Sequence, residues 1–534
     1  MNSNAGIAGE TVSTLDRAIA DDLVACLDSP ADLDQTEAAR RLASQDVYRA
    51  GELALAVVKP TSTEQLSALM KAASKHRLTV YIRGAGMSYS DAFVPELADA
   101  LIIEMTAMNK IREINATDLY ATVEAGCTWE ALQQALAPHG LRSIFWGPMS
   151  GKLSTVAGAM TQGSLTFGSG RNGPASNAAL GIEAVTASGE ILVTGSAGQP
   201  GHSAFFREYG PDLTGLLCND AGAFGIKTAV TLRLEPLPAE GQGLSFSFTS
   251  FENVVEAIRR VSRCKLATEV FGAETALVKR VAGPPDLKSD LGQLATLFRA
   301  AENPIKGLKS IINVALNGRR FMNESQYLAN FLTEGANKAE LKLMARRIRQ
   351  EIGELGVETA NTVAEFTRAV PFPDPMVVGP QNFRLLPLHG VIPYSGAVAL
   401  HQAYSAYLKS IADRCQSHGV EIYIVYTVSG PAGFLYECVI YWPDELAELH
   451  RAVTHEEILS SVPTAKPNPE GRALVEEIRL ATIELFHQHG CIHFQIGRAY
   501  PFARDRNDAA LKLLRDLRRS VDPQDSINPK ALGL

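Results

Sequence analysis

The residues best suited to hold a phosphate-bearing ligand lie together in one short segment, 79–89, which reads TVYIRGAGMSY. Its apolar run ends at Arg83 and is followed by Gly84, Ala85 and Gly86. Glycines let successive backbone N–H groups converge on phosphate oxygens. The segment therefore predicts either a phosphate-binding loop or an ordinary tight turn.

The setting of this loop argues against a Rossmann arrangement. A Rossmann loop follows a strand and opens a helix, whose N-terminus holds the pyrophosphate. Here the helical pattern comes before the strand, at 62–76, where Ser62 and Gln65 have the spacing of a capping box. After the glycines come Pro95 and a second apolar run, ADALIIEM. We therefore predict that the loop joins strand to strand.

Two more glycine-containing segments follow along the chain. The tract 147–181 is rich in Gly, Ser and Thr, and apolar residues such as Val156 and Phe167 recur in it. This pattern favours a loop system that wraps around a ligand. The segment 222–236, GAFGIKTAVTLRLEP, reads as a glycine turn followed by a strand, and the Pro and Gly residues after it predict a domain boundary.

The remaining elements must position these loops. Helical patterns and alternating strand patterns interchange throughout the chain, which indicates an α+β protein. The predicted helices are 128–139, 252–267, 338–355 and 507–521, and the predicted strands include ADALIIEM at 98–105, 118–126, a hairpin at 182–193, 419–428 and 435–442.

Length and composition limit the function classes. A chain of 534 residues suggests two large domains. The net charge of −8 gives no reason to expect nucleic acid or an anionic membrane as partner. No apolar run has the length of a transmembrane helix, and the first residues lack the pattern of a secretory signal. We therefore expect a cytoplasmic protein.

The cysteines and histidines do not indicate a metal site. Seven cysteines are scattered without a CxxC pair, which favours reduced thiols and argues against a zinc cluster. His487, His489 and His493 are close in sequence, but their spacing is not that of a helical HExxH motif. We therefore predict no metal.

Four motifs in chain order carry a resemblance to a known family. They are RGAGMSYSD at 83–91, PMSGKLSTVAGAMTQG at 148–163, GAFGIKTAVTLRLEP at 222–236 and DPQDSINP at 522–529. Together they resemble the vanillyl-alcohol oxidase family of FAD-linked oxidases, which includes 4-cresol dehydrogenase. The resemblance implies a bilobed α+β enzyme with a PCMH-type FAD-binding domain. That domain would comprise 1–240 and the returning segment 491–534, with a cap domain at 241–490. A homodimer is expected.

The resemblance also assigns cofactor contacts. A covalent flavin bond is excluded at Met87, which stands where relatives carry histidine. On the cap strand, a covalent bond to the flavin through Tyr436 is an open alternative. Leu435, beside it, could form no such bond. The implied FAD contacts are Arg83, Gly84, Ala85, Gly86, Met87, Ser88, Tyr89, Ser90, Pro148, Ser154, Thr155, Val156, Gly158, Gly163, Ile226, Tyr436 and Asn528.

The substrate side departs from the family pattern. Tyr89 matches one of the tyrosines that hold a phenolate in the alkylphenol-oxidising branch. A second clamp position, where relatives carry a tyrosine–arginine pair, is Phe494–Gln495 here. Arg498 and Tyr500 are candidates to replace it, and Arg384 is a further candidate cation. Gln495, Arg498, Tyr500 and Tyr89 are therefore the predicted catalytic residues, although the charged ones could equally be surface or interdomain residues.

The resemblance leaves four functions open. The first is transfer of a hydride from an aromatic alcohol or alkylphenol to flavin N5, with oxygen or a redox partner as acceptor. The second is dehydrogenation of a 2-hydroxy acid or polyol, and the missing GDGN turn argues against the acid. The third is that of a flavoprotein subunit that passes electrons to a separate chain. The fourth is that of a flavin-binding protein without redox activity.

Overall fold

A computed structural model describes residues 15–282, 325–374, 377–461 and 465–534. The helices are α1 Arg17–Val24, α2 Glu37–Ala43, α3 Thr63–Lys75, α4 Trp129–Leu136, α5 Val156–Gln162, α6 Ser169–Asn172, α7 Leu213–Leu216, α8 Phe251–Arg263, α9 Thr275–Ala282, α10 Lys338–Ile352, α11 Thr362–Ala369, α12 Tyr394–His418, α13 Glu448–Val453, α14 Glu456–Ser461, α15 Pro469–Gln488 and α16 Asp508–Val521. The strands are β1 Leu33–Asp34, β2 Ala56–Val58, β3 Thr79–Arg83, β4 Ala100–Glu104, β5 Ile111–Asn115, β6 Tyr120–Glu124, β7 Leu141–Ser143, β8 Ala179–Val185, β9 Ile191–Val193, β10 Ile226–Pro236, β11 Glu240–Phe248, β12 Glu269–Glu274, β13 Tyr327–Gly335, β14 Val357–Thr359, β15 Arg384–Pro393, β16 Glu421–Ser429 and β17 Gly433–Trp442.

The N-terminal half contains two sheets in the described residues. One has the strand order β1-β2-β4-β3, and β4 pairs in parallel with both of its neighbours. The other has the order β5-β6-β10-β8-β9, with β7 also paired to β10. The chain runs from β3 to β4 through residues 84–99 without a helix. The prediction that the glycine loop joins strand to strand is therefore confirmed.

Local signals in the sequence set several element ends. The Ser62 hydroxyl accepts a hydrogen bond from the Gln65 N–H at 3.2 Å, and α3 begins at the next residue. The turn after α4 ends at Gly140, whose φ of +67° places it in the left-handed region that glycine favours. Both elements were predicted from the sequence, and both are confirmed.

The C-terminal half is organised around one large sheet, which we call the cap sheet. Its strand order is β14-β11-β13-β12-β16-β17-β15. Helices α8, α10, α12 and α15 pack on one face, where alternate strand residues such as Phe434, Tyr436 and Trp442 are buried. The residues between them point to the opposite face of the sheet, which we call the open face.

The C-terminal segment returns to the first sheet. Ile527 bridges to Val80 of β3, and the Asn528 N–H donates to the Val80 carbonyl at 2.9 Å. The Asp522 carboxylate stabilises this turn by accepting from the N–H groups of Ser526 and Ile527. Both ends of the chain therefore contribute to the same sheet.

The mixed helix-and-sheet class predicted from the sequence is confirmed by these elements. Within the described ranges, no helix combines the length and apolarity needed to cross a membrane. All seven cysteines are free thiols. The domain boundaries at 240 and 490 stay predictions.

Candidate functional site

A long cavity lies between the loop after β3, the 148–164 tract and the turn before β10. It encloses about 920 Å³ when the space at its open mouth is included. The predicted residues that line it are Gly84, Ala85, Gly86, Met87, Ser88, Pro148, Ser154, Thr155, Gly158, Gly163, Ile226 and Gln495.

The loop after β3 presents free backbone donors to this cavity. The N–H groups of residues 85–88 donate to no acceptor within the described parts of the chain. Backbone N–H groups of a folded protein are seldom left without an acceptor, and a ligand or water usually accepts from those that are. Four in succession therefore fit a bound anion such as a pyrophosphate.

Two features of the loop require glycine at position 86. Its φ is +83°, and a Cβ at this position would collide with the guanidinium of Arg83. Arg83 itself is buried beneath the loop and pairs with Glu104 at 2.6 Å. Burial lowers the pKa of Arg83, and the Glu104 carboxylate opposes that shift. Arg83 therefore supports the loop from below, and its side chain does not line the cavity as predicted.

Small residues shape the opposite wall. The Thr155 hydroxyl accepts from the Gly158 N–H at 3.1 Å, and a Cβ at Gly84 would stand 2.9 Å from the same oxygen. A Cβ at Gly163 would stand 3.2 Å from the Cβ of Phe494. This wall is therefore closely packed behind both glycines, so a larger residue at either position would displace its neighbours.

One buried acceptor on this wall has no partner. The side-chain oxygen of Gln162 is buried and unpaired among the described residues, although Gln162 lines the cavity. An unpaired buried carbonyl of this kind costs about 1–3 kcal/mol unless a donor reaches it. A ligand that carries an N–H group would satisfy it.

Lys227 is a cavity residue that the sequence analysis missed. Its ammonium group pairs with Asp220 at 2.5 Å, and both side chains are almost fully buried. Asp220 also accepts from the N–H groups of Gly222 and Phe224, which forms the turn before β10. The sequence contains one indication of this role, a lysine at the second position of an apolar, alternating strand. Buried lysines are rare without a function or a partner.

Asn528 joins two walls of the cavity without lining it. Its side-chain oxygen accepts from the Ile82 N–H at 2.9 Å, and its amide nitrogen donates to the Ala221 carbonyl at 3.2 Å. These bonds hold the end of β3 against the 221–225 turn. Asn528 therefore positions the site, which differs from the direct cofactor contact that was predicted.

Gln495 lines the cavity, and its neighbour Phe494 contacts the open face of the cap sheet through His389. His389 stacks on Phe494 with ring centroids 3.8 Å apart, and its Nδ1 is buried without a hydrogen-bond partner among the described residues. The His389 N–H donates to the Tyr500 hydroxyl at 3.0 Å. Burial and the neighbouring His493 lower the pKa of His389 to about 3, so its ring is neutral at physiological pH.

Glu437 lies beside His389 on the same face. The two residues are directly opposite each other in the β15–β17 pairing, and such pairs project their side chains to one side of a sheet. Burial raises the pKa of Glu437 to about 7. The Glu437 carboxyl has no hydrogen bond or ion pair with any residue that the structure describes. Its charge, together with burial, raises the pKa of Tyr89.

This geometry can be compared with known proteins. A family model described as an FAD-binding domain matches residues 54–195, the region that contains the donor loop and most of the opposite wall.

Similar proteins share this domain or the whole fold. An uncharacterized FAD-linked oxidoreductase of Mycobacterium tuberculosis is 30% identical over 218 residues, 40% of this chain and 44% of that protein. The GlcD subunit of glycolate oxidase from Bacillus subtilis is 28% identical over 236 residues, 44% of this chain and 47% of that protein. The match spans less than half the length of either relative. The structure of p-cresol methylhydroxylase with substrate bound has a TM-score of 0.72 at 16% identity, over 97% of this chain and 96% of that chain.

The residues described above fit FAD. Free N–H groups at 85–88 suit its pyrophosphate, and the unpaired Gln162 oxygen suits a ring N–H. The prediction that the chain uses FAD is confirmed by the family match.

Other predicted contacts of the FAD-binding domain lie outside the cavity. The Val156 side chain is fully buried in the apolar core. Ser90 bonds to the Ser88 hydroxyl, and its carbonyl accepts from the Arg498 N–H. Tyr89 leaves the cavity and packs where the cap meets the N-terminal segment. These residues are therefore supports of the loop rather than lining residues.

Tyr436 points away from the FAD-binding domain. Its side chain is fully buried on the helix-covered face of the cap sheet, and its hydroxyl bonds to His401 Nδ1 at 2.9 Å. Leu435, its neighbour on β17, points to the open face. A covalent flavin link through Tyr436 would require β17 to present its opposite face to the FAD-binding domain. The position of Tyr436 therefore does not support such a link.

Arg498, Arg384 and Tyr500 also differ from their predicted roles. Arg498 donates to the Val94 carbonyl and lies over the Tyr81 ring, away from the cavity. Arg384 donates to backbone carbonyls of the N-terminal segment. Tyr500 is buried, and its hydroxyl is bonded to the backbone of His389. Of the predicted catalytic residues, Gln495 lines the cavity and Tyr89 borders the open face.

The histidines near the end of α15 do not converge. His487 pairs with Asp505 at 2.9 Å, whereas His493 donates to the His389 carbonyl at 2.8 Å. Among the described residues, no group of three His, Cys, Asp or Glu side chains is arranged to hold a metal ion.

Proposed function

We propose that this protein is an FAD-dependent oxidoreductase that removes a hydride from an uncharged aromatic alcohol or alkylphenol. The observation that carries this proposal is the chemistry of the open face beside Gln495. It presents aromatic rings, a neutral His389 and the unpaired carboxyl of Glu437. A neutral aromatic donor is compatible with these groups, because the rings bury its apolar surface and the carboxyl accepts its hydroxyl.

The arginines close to this region are engaged elsewhere. Arg479 pairs with Asp91 at 3.0 Å, and the guanidinium groups of Arg384 and Arg498 donate to backbone carbonyls, while Nε and Nη1 of Arg498 have no hydrogen-bond acceptor among the described residues. Arg498 lies over the Tyr81 ring, away from the cavity, so a substrate carboxylate beside Glu437 would not be paired by these cations. Such like-charge proximity is unfavourable at the low dielectric of a buried site.

Different residues of the chain bind the cofactor and orient the substrate. FAD, when bound, accepts the hydride from the donor carbon. The N–H groups at 85–88 would hold its phosphates, and Gln162 and Gln495 line the same cavity. His389, held between Phe494 and Tyr500, forms the wall that orients the donor. Closing the site with aromatic rings excludes water and strengthens the polar contacts inside.

A second candidate is the oxidation of a 2-hydroxy acid. It is favoured by the similarity to a subunit named for glycolate oxidase. Against it stands the unpaired carboxyl of Glu437, which would repel the acid group of the substrate. Molecular oxygen and a separate electron-accepting protein are both open as the final acceptor.

The two candidates can be separated by anaerobic reduction of the flavin. The purified holoprotein is mixed without oxygen with 4-cresol and 4-hydroxybenzyl alcohol, and separately with glycolate and D-lactate. We expect the aromatic donors to bleach the oxidised-flavin absorbance and the acids to leave it unchanged. Bleaching by the acids alone would overturn the proposal in favour of the second candidate. Admitting air afterwards and measuring hydrogen peroxide identifies an oxidase.

A further inference from the structure

We propose that Glu437 is the proton acceptor for the hydroxyl group of the substrate. This inference rests on the proposed function, because it assigns a role in the same reaction. It concerns a residue for which neither the family match at 54–195 nor the sequence motifs provide a role.

The position of Glu437 is defined by its two neighbouring strands. It is opposite His389 of β15 and opposite Val425 of β16, so its side chain projects from the middle of the open face. His389 contacts Phe494 and is close to Gln495, which lines the flavin cavity. One side chain therefore separates Glu437 from the residues at the end of that cavity.

The groups around Glu437 are polar or ionisable but uncharged near neutral pH. Its charge acts on Tyr89 from the loop after β3, on Tyr500 from the C-terminal segment and on Tyr441 from its own strand. Burial raises the pKa of all three phenols, so they stay protonated. His389 faces Glu437 from β15 as a neutral ring.

Another carboxyl with a raised pKa lies near Tyr89, but its oxygens are occupied. Burial and the charge of Asp91 raise the pKa of Asp46 to about 7. The Asp46 carboxyl accepts from the backbone N–H groups of Tyr48, Arg49 and Asp91. Glu437 has no such bonds in the described structure, so both of its oxygens are open to a substrate.

The proposed step balances in protons and electrons. In an aromatic alcohol, the O–H bond breaks and its proton goes to a carboxylate oxygen of Glu437. The electron pair of that bond stays on oxygen and forms the carbonyl, while the C–H electron pair leaves with hydrogen as the hydride that FAD accepts. In an alkylphenol, the same carboxylate takes the phenolic proton. A base whose pKa is near the working pH suits this task.

The test compares Glu437→Gln and Glu437→Asp with the control Glu274→Gln. Glu274 is also a buried carboxyl of the cap sheet with a raised pKa, but its charge acts on the helix-side residues Tyr426 and Tyr436. Each holoprotein is reduced anaerobically by 4-hydroxybenzyl alcohol across a pH range. Circular dichroism and the flavin spectrum verify that each variant is folded and loaded.

We expect the wild-type reduction rate to rise with pH through an ionisation near 7. Glu437→Gln should be slower by about 100-fold or more and should lack that ionisation. Glu437→Asp should recover part of the rate, and Glu274→Gln should keep the wild-type profile. A wild-type rate and pH profile in Glu437→Gln would overturn the assignment.

A second readout does not depend on turnover. The infrared band of the protonated carboxyl is titrated in wild type and in Glu437→Gln, and the difference isolates Glu437. A midpoint near 7 supports the assignment, and a midpoint at the ordinary 4.5 overturns it. If no aromatic donor reduces the flavin, the proposed function fails, and this titration still decides whether Glu437 is an acceptor poised near neutral pH.

Discussion

His389 and Phe494 stack with ring centroids 3.8 Å apart and an interplanar angle of 10°. His389 belongs to the cap sheet, whereas Phe494 belongs to the C-terminal segment that borders the FAD cavity beside Gly163. This contact joins the two parts of the site. It also places Gln495, the next residue, between the cavity and the cap.

Replacing Phe494 with Ala should therefore disturb both parts. We expect the free energy of unfolding to fall by about 2 kcal/mol, because the stack and its buried area are lost. Flavin reduction should slow as well, since His389 loses its support. Denaturant unfolding and anaerobic stopped-flow absorbance measure the two effects. Phe205→Ala, at a side chain that is 54% exposed, is the control and should change neither. Unchanged reduction in Phe494→Ala would show that the stack does not position His389.

The donor loop is tested by Gly86→Ala. The φ of +83° and the Arg83 guanidinium both oppose a Cβ there, so the loop must move and FAD affinity should fall at least about tenfold. Gly201→Ala is a matched control, because Gly201 has a φ of +81° but no atom near its Cβ position. It should lose only the about 1–2 kcal/mol of stability that a left-handed residue costs. Titration of the apoprotein with FAD measures both. Equal FAD affinities in the two variants would contradict the role of the loop.

The buried pair Lys227–Asp220 should be costly to break. Lys227→Met leaves the Asp220 charge without its partner, and we expect a loss of about 3–5 kcal/mol in unfolding free energy. FAD affinity should fall with it, because Lys227 lines the cavity. Lys512→Met removes an ion pair with Asp516 on an exposed helix face and should leave both quantities unchanged. A Lys227→Met protein as stable as wild type would show that the Asp220 charge is compensated in another way.

The raised pKa of Glu437 also predicts a dependence of stability on pH. The folded-state value is about 7 and the ordinary value is 4.5. Between these values the folded chain binds more protons than the unfolded chain, so stability falls as pH rises through this window. Gln does not ionise, so Glu437→Gln should be more stable than wild type above pH 7, by on the order of 2 kcal/mol.

Thermal or denaturant unfolding at a series of pH values measures this effect. Glu456→Gln, at an exposed position of α14, should keep the wild-type slope. A gain in stability together with a loss of turnover would identify Glu437 as a group retained for chemistry. Identical slopes in wild type and Glu437→Gln would contradict the raised pKa.

Much of the fold was accessible from the sequence because its signals are local. The Ser62 cap, the left-handed Gly140 and the loop at 84–88 each depend on a few neighbouring residues. The alternating strands β10, β16 and β17 were likewise predicted within a few residues of their ends. The three glycine segments that line the cavity were recognised because glycine has a specific backbone role there.

The substrate side could not be predicted in the same way. Both faces of β17 carry buried apolar residues, so its alternation does not reveal that Glu437 faces the site and Tyr436 the helices. Glu437 and His389 are neighbours only because β15 and β17 pair in one register. Arg498 has a charge that suits a site, yet it bonds to the Val94 carbonyl because the C-terminal segment runs behind the loop. The homodimer and the cytoplasmic location stay predictions.

The proposed function requires FAD in the cavity, and the position of Tyr436 predicts that this FAD is held without a covalent bond. Acid precipitation of the purified protein, followed by absorbance spectra of pellet and supernatant, tests this directly. Met87 and Leu435 cannot form the bond and Tyr436 faces the helices, so we predict a colourless pellet and a yellow supernatant that contains FAD. A yellow pellet would contradict dissociable FAD. A protein that is colourless from the start and cannot be reconstituted with FAD would contradict the assignment of the cavity itself.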